Sequence, residues 1–194
     1  MQEFKLEPGD VLVKVNNSKD PFSVIERWAL GNPYCHVFMY MGQMEILVNG
    51  VVLKHSMLFE SNGRGVVIQS LSNRYGQEVV VLRLKSEFDR RRTSLVLEEA
   101  IKLASEPQSY YDYFCIVRFV LPRLIMQKFG LPLPIKYHRD VFMICSEAVF
   151  EVFYRAGLVD ILRPNCIPPL PNDFVSSSSL FSIVGKVILS EVVV

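Results

Sequence analysis

Val141-Phe142-Met143-Ile144-Cys145-Ser146-Glu147-Ala148-Val149-Phe150-Glu151-Val152-Phe153-Tyr154-Arg155-Ala156-Gly157 is the stretch around which the chain is organised. Ala148, Val149, Val152, Phe153 and Ala156 recur at helical spacing, and Gly157 supplies a C-terminal stop. Upstream, Pro132, Pro134 and the polar run 136–140 keep a helix from starting much earlier. The pattern predicts a buried helix with Cys145 in its first turn, where unpaired amides and the helix dipole favour an anion. A thiolate is the reactive form of cysteine, and such a position lowers its pKa. Taken alone, a buried cysteine is more often a small hydrophobe, so this helix implies chemistry only if it has partners.

The totals narrow the classes. At 194 residues the expectation is a single domain over residues 1–194. A domain of this size buries about 70% of its unfolded surface and needs no staples. Half the residues are apolar and the mean hydropathy is +0.24. Yet the most apolar stretch, 114–133, is interrupted by Arg118, Arg123, Lys128 and two prolines, which argues against a spanning helix. Residues 1–10 are charged and lack the apolar core of a signal peptide, so a cytoplasmic location is expected. A net charge of +1, from 21 basic and 20 acidic residues, gives no electrostatic case for nucleic acid. Arg90-Arg91-Arg92, the basic run, reads as a solvated helix start. Cys35, Cys115, Cys145 and Cys166 are widely spaced without a CxxC pair. They suggest neither a disulfide framework nor a zinc site, and no metal or other cofactor is expected.

Along the chain, Pro8-Gly9-Asp10 turns into the alternating Val11, Val13 and Val15 of a first strand. Residues 21–30 read as a short helix ended by Gly31-Asn32-Pro33. Strands follow at 34–41, 44–48, 51–54, 57–60, 66–69 and 78–84, with Asn49-Gly50 as a tight hairpin turn. Helical patterns then take over: 87–105, with Leu95, Ala100, Ile101 and Ala104 as its inner face, and 114–129, kinked at Pro122. After the Cys145 helix come a proline-rich connection (Pro164, Pro168, Pro169, Pro171), a serine tract (176–179) and a last strand around 181–189. Strands first and helices second predict an α+β fold, an antiparallel sheet from the N-terminal half packed on helices from the C-terminal half.

If Cys145 is a nucleophile it needs a base within hydrogen-bond reach, itself oriented by a third group. Of the three histidines, His36 sits in a strand that can hold an imidazole rigidly. His55 lies among polar residues near a strand end, and His138 in a polar loop. Glu60 ends an apolar strand of what should be the same sheet, where a carboxylate can accept the imidazole N–H. The plainer readings are a satisfied core histidine for His36 and a rim carboxylate for Glu60. Gly63-Arg64-Gly65 lacks the GxxxxGK pattern and a following helix, so it is not read as a phosphate loop.

In chain order stand Pro8-Gly9-Asp10-Val11-Leu12, His36-Val37-Phe38-Met39-Tyr40-Met41-Gly42, Phe59-Glu60-Ser61-Asn62-Gly63-Arg64-Gly65-Val66, Tyr111-Asp112-Tyr113, Cys145-Ser146-Glu147-Ala148-Val149 and Ala156-Gly157-Leu158. This series resembles the circularly permuted papain-like hydrolases of the NlpC superfamily, and is most similar to the YiiX-like branch found in bacteria and viruses. The resemblance runs from about Pro8 to Ser179. It implies a permuted papain-like fold and a bacterial, phage or viral source. It also implies a cysteine hydrolase with Cys145 as nucleophile, His36 as base and Glu60 as orienting acid. Backbone amides at Cys145 and Ser146 would stabilise an oxyanion, and Tyr111 would line the cleft. The sequence departs from the family at Phe38, where many relatives have glycine, which suggests a narrower cleft beside His36. It departs again at Cys35, which puts a second thiol close to the site.

The resemblance implies a peptide, cell-wall or acyl-lipid substrate. Relatives that act on lipids carry Asn-Cys-Glu-His at the nucleophile, and Ile144-Cys145-Ser146-Glu147 departs from that, which favours an amide bond. Three alternatives stay open: a lipid-directed thioesterase or acyltransferase on the same residues, a non-catalytic lipid- or peptide-binding module, and a metal protein using Cys35, His36 and Cys145. The last lacks a recognised ligand spacing. The 114–136 stretch leaves room for peripheral membrane contact, although helix packing explains it equally well.

Overall fold

Val11–Val15, apolar on both faces, forms strand β1 and sits in the interior of the sheet. Strands β2 (Tyr34–Val48) and β3 (Val51–Asn62) are one long hairpin. It closes on Asn49 and Gly50 at φ 51° and 79°, the left-handed pair that a two-residue turn requires. The computed structural model describes residues 5–17, 31–106, 144–158 and 169–191. The expectations placed on 21–30, 114–129, Tyr111, Cys115, His138 and Cys166 lie outside the described residues.

Four separate short strands were expected between 34 and 60; the structure merges them into two. Gly42 and Gln43 stay in the ladder opposite Met57 and Ser56, and a register shift after Tyr40 absorbs the irregularity. β4 (Gly65–Ser70) runs back along β3, a single 3-10 turn (Leu71–Arg74) follows, and β5 (Glu78–Leu84) pairs with the other edge of β1. β6 (Phe181–Ile188) completes a six-stranded antiparallel sheet in the order β4-β3-β2-β1-β5-β6.

The helical half departs from expectation in detail. Residues 87–105 form not one helix but α1 (Glu87–Arg90) and α2 (Thr93–Ser105). The break is at Arg92, whose guanidinium donates to the Gly157 carbonyl at 2.8 Å and ties the junction to the end of the next helix. The inner face of α2 is Val96, Ala100 and Leu103, while Leu95 and Ile101 are exposed. The Cys145 helix, α3 (Cys145–Arg155), begins and ends where the pattern placed it, with Gly157 at φ 77°. Within the proline-rich connection the chain forms a further short helix, α4 (Pro171–Ser176). Proline occupies its first position, and the Asp173 carboxylate accepts the Leu170 N–H at 2.8 Å.

Strand alternation sorts the interior into two layers. Val11, Val13, Val37, Met39, Phe59 and Leu82 face α2, α3 and α4, where Ala148, Val149, Val152 and Phe153 meet them. Leu12, Phe38, Tyr40, Leu58, Val79 and Val81 face the other way, under Leu6, Leu71 and Leu189. Each fully buried side chain of this size contributes about 1.5–3 kcal/mol, so the α3 face, with the larger cluster, is the anchor of the fold. The fold is α+β, with the sheet from the first half covered by helices from the second. Among the described residues no helix is long and apolar enough to cross a membrane.

Candidate active site

The β2–β3 ladder stops at the pair Met39–Phe59. Toward the start of β2 and the end of β3 the two strands part, and the first turn of α3 meets the sheet there. Ile144 is extended, its N–H donates to the Glu147 carboxylate at 3.1 Å, and Cys145 is the first helical residue. Cys145 is buried, at 6% exposure. The sulfur accepts the backbone N–H groups of Ser146 and of Val37, an amide that the β2–β3 ladder leaves unused. The Ser146 hydroxyl is buried and donates to the Pro169 carbonyl at 2.5 Å. Whatever Ser146 offers the site therefore comes from its backbone.

His36 projects from β2 with 16% of its side chain exposed. Its Nε2 is 2.7 Å from Glu60 Oε2, which leaves the other ring nitrogen for the Cys145 sulfur, with which the imidazole is also hydrogen-bonded. Burial alone would lower the His36 pKa, but the charge and hydrogen bond of Cys145, followed by those of Glu60, raise it to about 9. Burial pushes the Cys145 thiol up, yet the adjoining His36 cation and the Val37 and Ser146 amides pull it below the ordinary thiol value. The two shifts share one cause, the contact between thiol and imidazole, and both run toward the charged forms, thiolate and imidazolium.

Glu60 is fully buried and accepts from four side chains. Besides His36 these are Asn62 at 3.0 Å, Gln69, and Arg74, whose Nη2 lies 2.7 Å from each carboxylate oxygen. Burial would raise the Glu60 pKa; His36, Arg74 and Asn62 outweigh it and hold the carboxyl at about 2. Sequence reasoning did not single out Arg74, Gln69 or Asn62. Arg74 lies in a polar turn that read as a connection, and only the β3–β4 register, with Glu60 opposite Val67, shows that the turn folds back over the carboxylate.

The structure thus brings Cys145, His36 and Glu60 into one hydrogen-bonded line, and of the expected site residues Tyr111 lies outside the described residues. Phe38 does not stand in an open cleft: it is buried beneath His36, ring centroids 5.9 Å apart. Cys35 donates to the Lys14 carbonyl at 3.8 Å. His55 lies opposite Met44 on the outer part of the hairpin. Gly63-Arg64-Gly65 is a strand connection, with Asn62 Oδ1 accepting the Arg64 N–H at 2.9 Å. Among the described residues no group of three or more His, Cys, Asp or Glu side chains could hold a metal ion.

No protein-family model matches the chain, and no curated protein matches it either. Among solved structures it is similar to the crystal structure of the metalloprotein YiiX from Escherichia coli O157:H7 (DUF1105). The likeness is distant, at 16% identity and a TM-score of 0.46, over 79% of this chain and 67% of that one.

Proposed function

We propose that this protein is a cysteine hydrolase that cleaves an amide bond, in a peptide or a peptidoglycan-like substrate, through an acyl-enzyme on Cys145. The observation that carries the reading is the continuous line Cys145–His36–Glu60, with the imidazole bonded to both neighbours. A histidine merely satisfied in a core has no need of a thiol on one nitrogen and a buried carboxylate on the other.

In the first half-reaction the Cys145 thiolate attacks the acyl carbon and a C–S bond forms. The carbonyl oxygen takes up the negative charge near the amides at the start of α3. His36 then gives its thiol-facing proton to the amine nitrogen as the C–N bond breaks, and the amine leaves. In the second half, neutral His36 takes a proton from water as its oxygen attacks the thioester. The carboxylic acid departs, and thiolate and imidazolium are restored. Glu60 keeps the imidazole in one tautomer and stabilises its cationic form throughout.

The test is alkylation of each cysteine against pH, read by mass spectrometry, followed by turnover of amide, ester and thioester substrates. Cys145 should react below pH 7 ahead of Cys35, Cys115 and Cys166, and His36→Ala should return it to ordinary thiol behaviour. Cys145→Ala should abolish turnover; normal turnover in that variant would sink the reading. Preference for thioesters would move the substrate to acyl lipids on the same residues. Inert cysteines throughout would leave a binding module.

A further inference from the structure

Orienting one imidazole requires a single carboxylate oxygen, yet Glu60 has both oxygens engaged. Arg74 reaches it from a separate element, the turn after β4, and bonds to both oxygens through Nη2 at 2.7 Å. The Arg74 guanidinium lies 5.7 Å above the ring of Phe38, the same buried ring that supports His36 at 5.9 Å. Imidazole and guanidinium therefore share one carboxylate and one aromatic platform.

Charge explains the arrangement. Cys145 as thiolate and His36 as imidazolium cancel one another, which leaves the negative charge of Glu60 at a fully buried position. An uncompensated carboxylate there is costly and draws protons. Among the described residues, the charged or titratable groups facing Glu60 are His36 from β2 and Arg74 from the turn. Those facing His36 are Cys145 from α3 and Glu60 from β3. Asn62 of β3 and Gln69 of β4 add neutral donors. Only with Arg74 does the set sum to zero.

We infer that Arg74 is a positioning residue that closes a charge-neutral relay, Cys145–His36–Glu60–Arg74, and thereby sets the pH window in which a Cys145 thiolate stands beside a protonated His36. The inference rests on the cysteine-hydrolase reading above. Its sign is fixed: taking a positive charge out of a buried cluster makes every remaining proton harder to remove. Loss of Arg74 therefore lifts both limits of the window, that of Cys145 and that of His36. A purely structural role would loosen the site instead and bring the two limits toward each other.

The experiment follows iodoacetamide labelling of Cys145 against pH together with NMR titration of His36. It uses the full chain as wild type, Arg74→Met, Arg74→Lys and Glu60→Gln, each checked for folding by circular dichroism. Arg74→Met should raise the acid midpoint of labelling by about 1 pH unit or more, slowing labelling about tenfold below the wild-type midpoint, and should raise the His36 midpoint as well. Arg74→Lys, which keeps the charge, should stay at the wild-type midpoints. In a Glu60→Gln background, adding Arg74→Met should produce a smaller shift than it does alone. Converging or unmoved midpoints in folded Arg74→Met would overturn the inference while leaving the hydrolase reading intact. A wild-type Cys145 that labels like an ordinary thiol defeats that reading itself. If Arg74→Met does not fold, Arg74→Gln replaces it, and equal midpoints for the Gln and Lys variants overturn the inference.

Discussion

The two ends of the β2–β3 hairpin are built from the same kind of sequence and live in opposite surroundings. At the inner end β2 is flanked by β1, β3 by β4, and both faces are covered; Phe38, Met39, Leu58 and Phe59 are all fully buried there. At the outer end the hairpin runs on past its neighbours, with Leu47 71%, Val51 58% and Val52 54% exposed. Apolar alternation in a strand thus specifies a strand, and what lies across its face is decided elsewhere in the chain. Chemistry follows the same division. His36 and Glu60 stand at the inner end, where close charged and hydrogen-bonding partners outweigh burial and move their pKa values far from the ordinary, whereas His55 stands on the outer arm.

Substitutions that act on one end only sharpen this contrast. Phe59→Ala, which empties a position at the heart of the α3 face, should cost about 3–5 kcal/mol in urea unfolding. Next comes pH. The Glu60 carboxyl is held at about 2, below its ordinary 4.5, so the stability it contributes is present above pH 4.5 and is lost as pH falls toward 2. His36 is raised from 6.5 to about 9, so its contribution is complete below pH 6.5 and is lost as pH rises through 9. Urea midpoints over roughly pH 3 to 10 should show a plateau with a fall on each side, and Glu60→Gln should flatten the acid side.

The outer end should respond far less. Gly50→Ala meets no atom within 4 Å but must hold φ 79°, so it should cost about 1–2 kcal/mol through backbone strain alone. Leu47→Ser should change stability by no more than about 0.5 kcal/mol and leave Cys145 labelling unaltered. A loss from Leu47→Ser as large as that from Phe59→Ala would break the comparison and show that the arm is covered in solution.

Much of the frame was legible because its signals are local. Asn49-Gly50 encodes its turn by backbone preference, and Gly157 ends α3 for the same reason. The apolar stripe of α3 has a single face and was read correctly. That of α2 was not: Leu95, Val96, Leu97, Ala100, Ile101, Leu103 and Ala104 wrap most of the helix. Packing against α3 and the sheet selected Val96, Ala100 and Leu103, a choice that periodicity cannot make. α4 went unread because its prolines suggested a connection, although Pro171 followed by Asp173 is itself a helix-start signal. Arg74 had no local mark at all. It gains its meaning from a carboxylate fourteen residues back in the chain, which only strand register brings beneath it.

The strand order of the sheet bears on how the protein is made. The five strands β1 to β5, and with them His36, Glu60 and Arg74, are encoded between Val11 and Leu84, while Cys145 arrives much later and β6 later still. A ribosome working from the N-terminus therefore releases the imidazole, its carboxylate and the balancing guanidinium before it adds the thiol. The Cys145 sulfur is the late arrival, synthesised after the three side chains with which it completes this cluster.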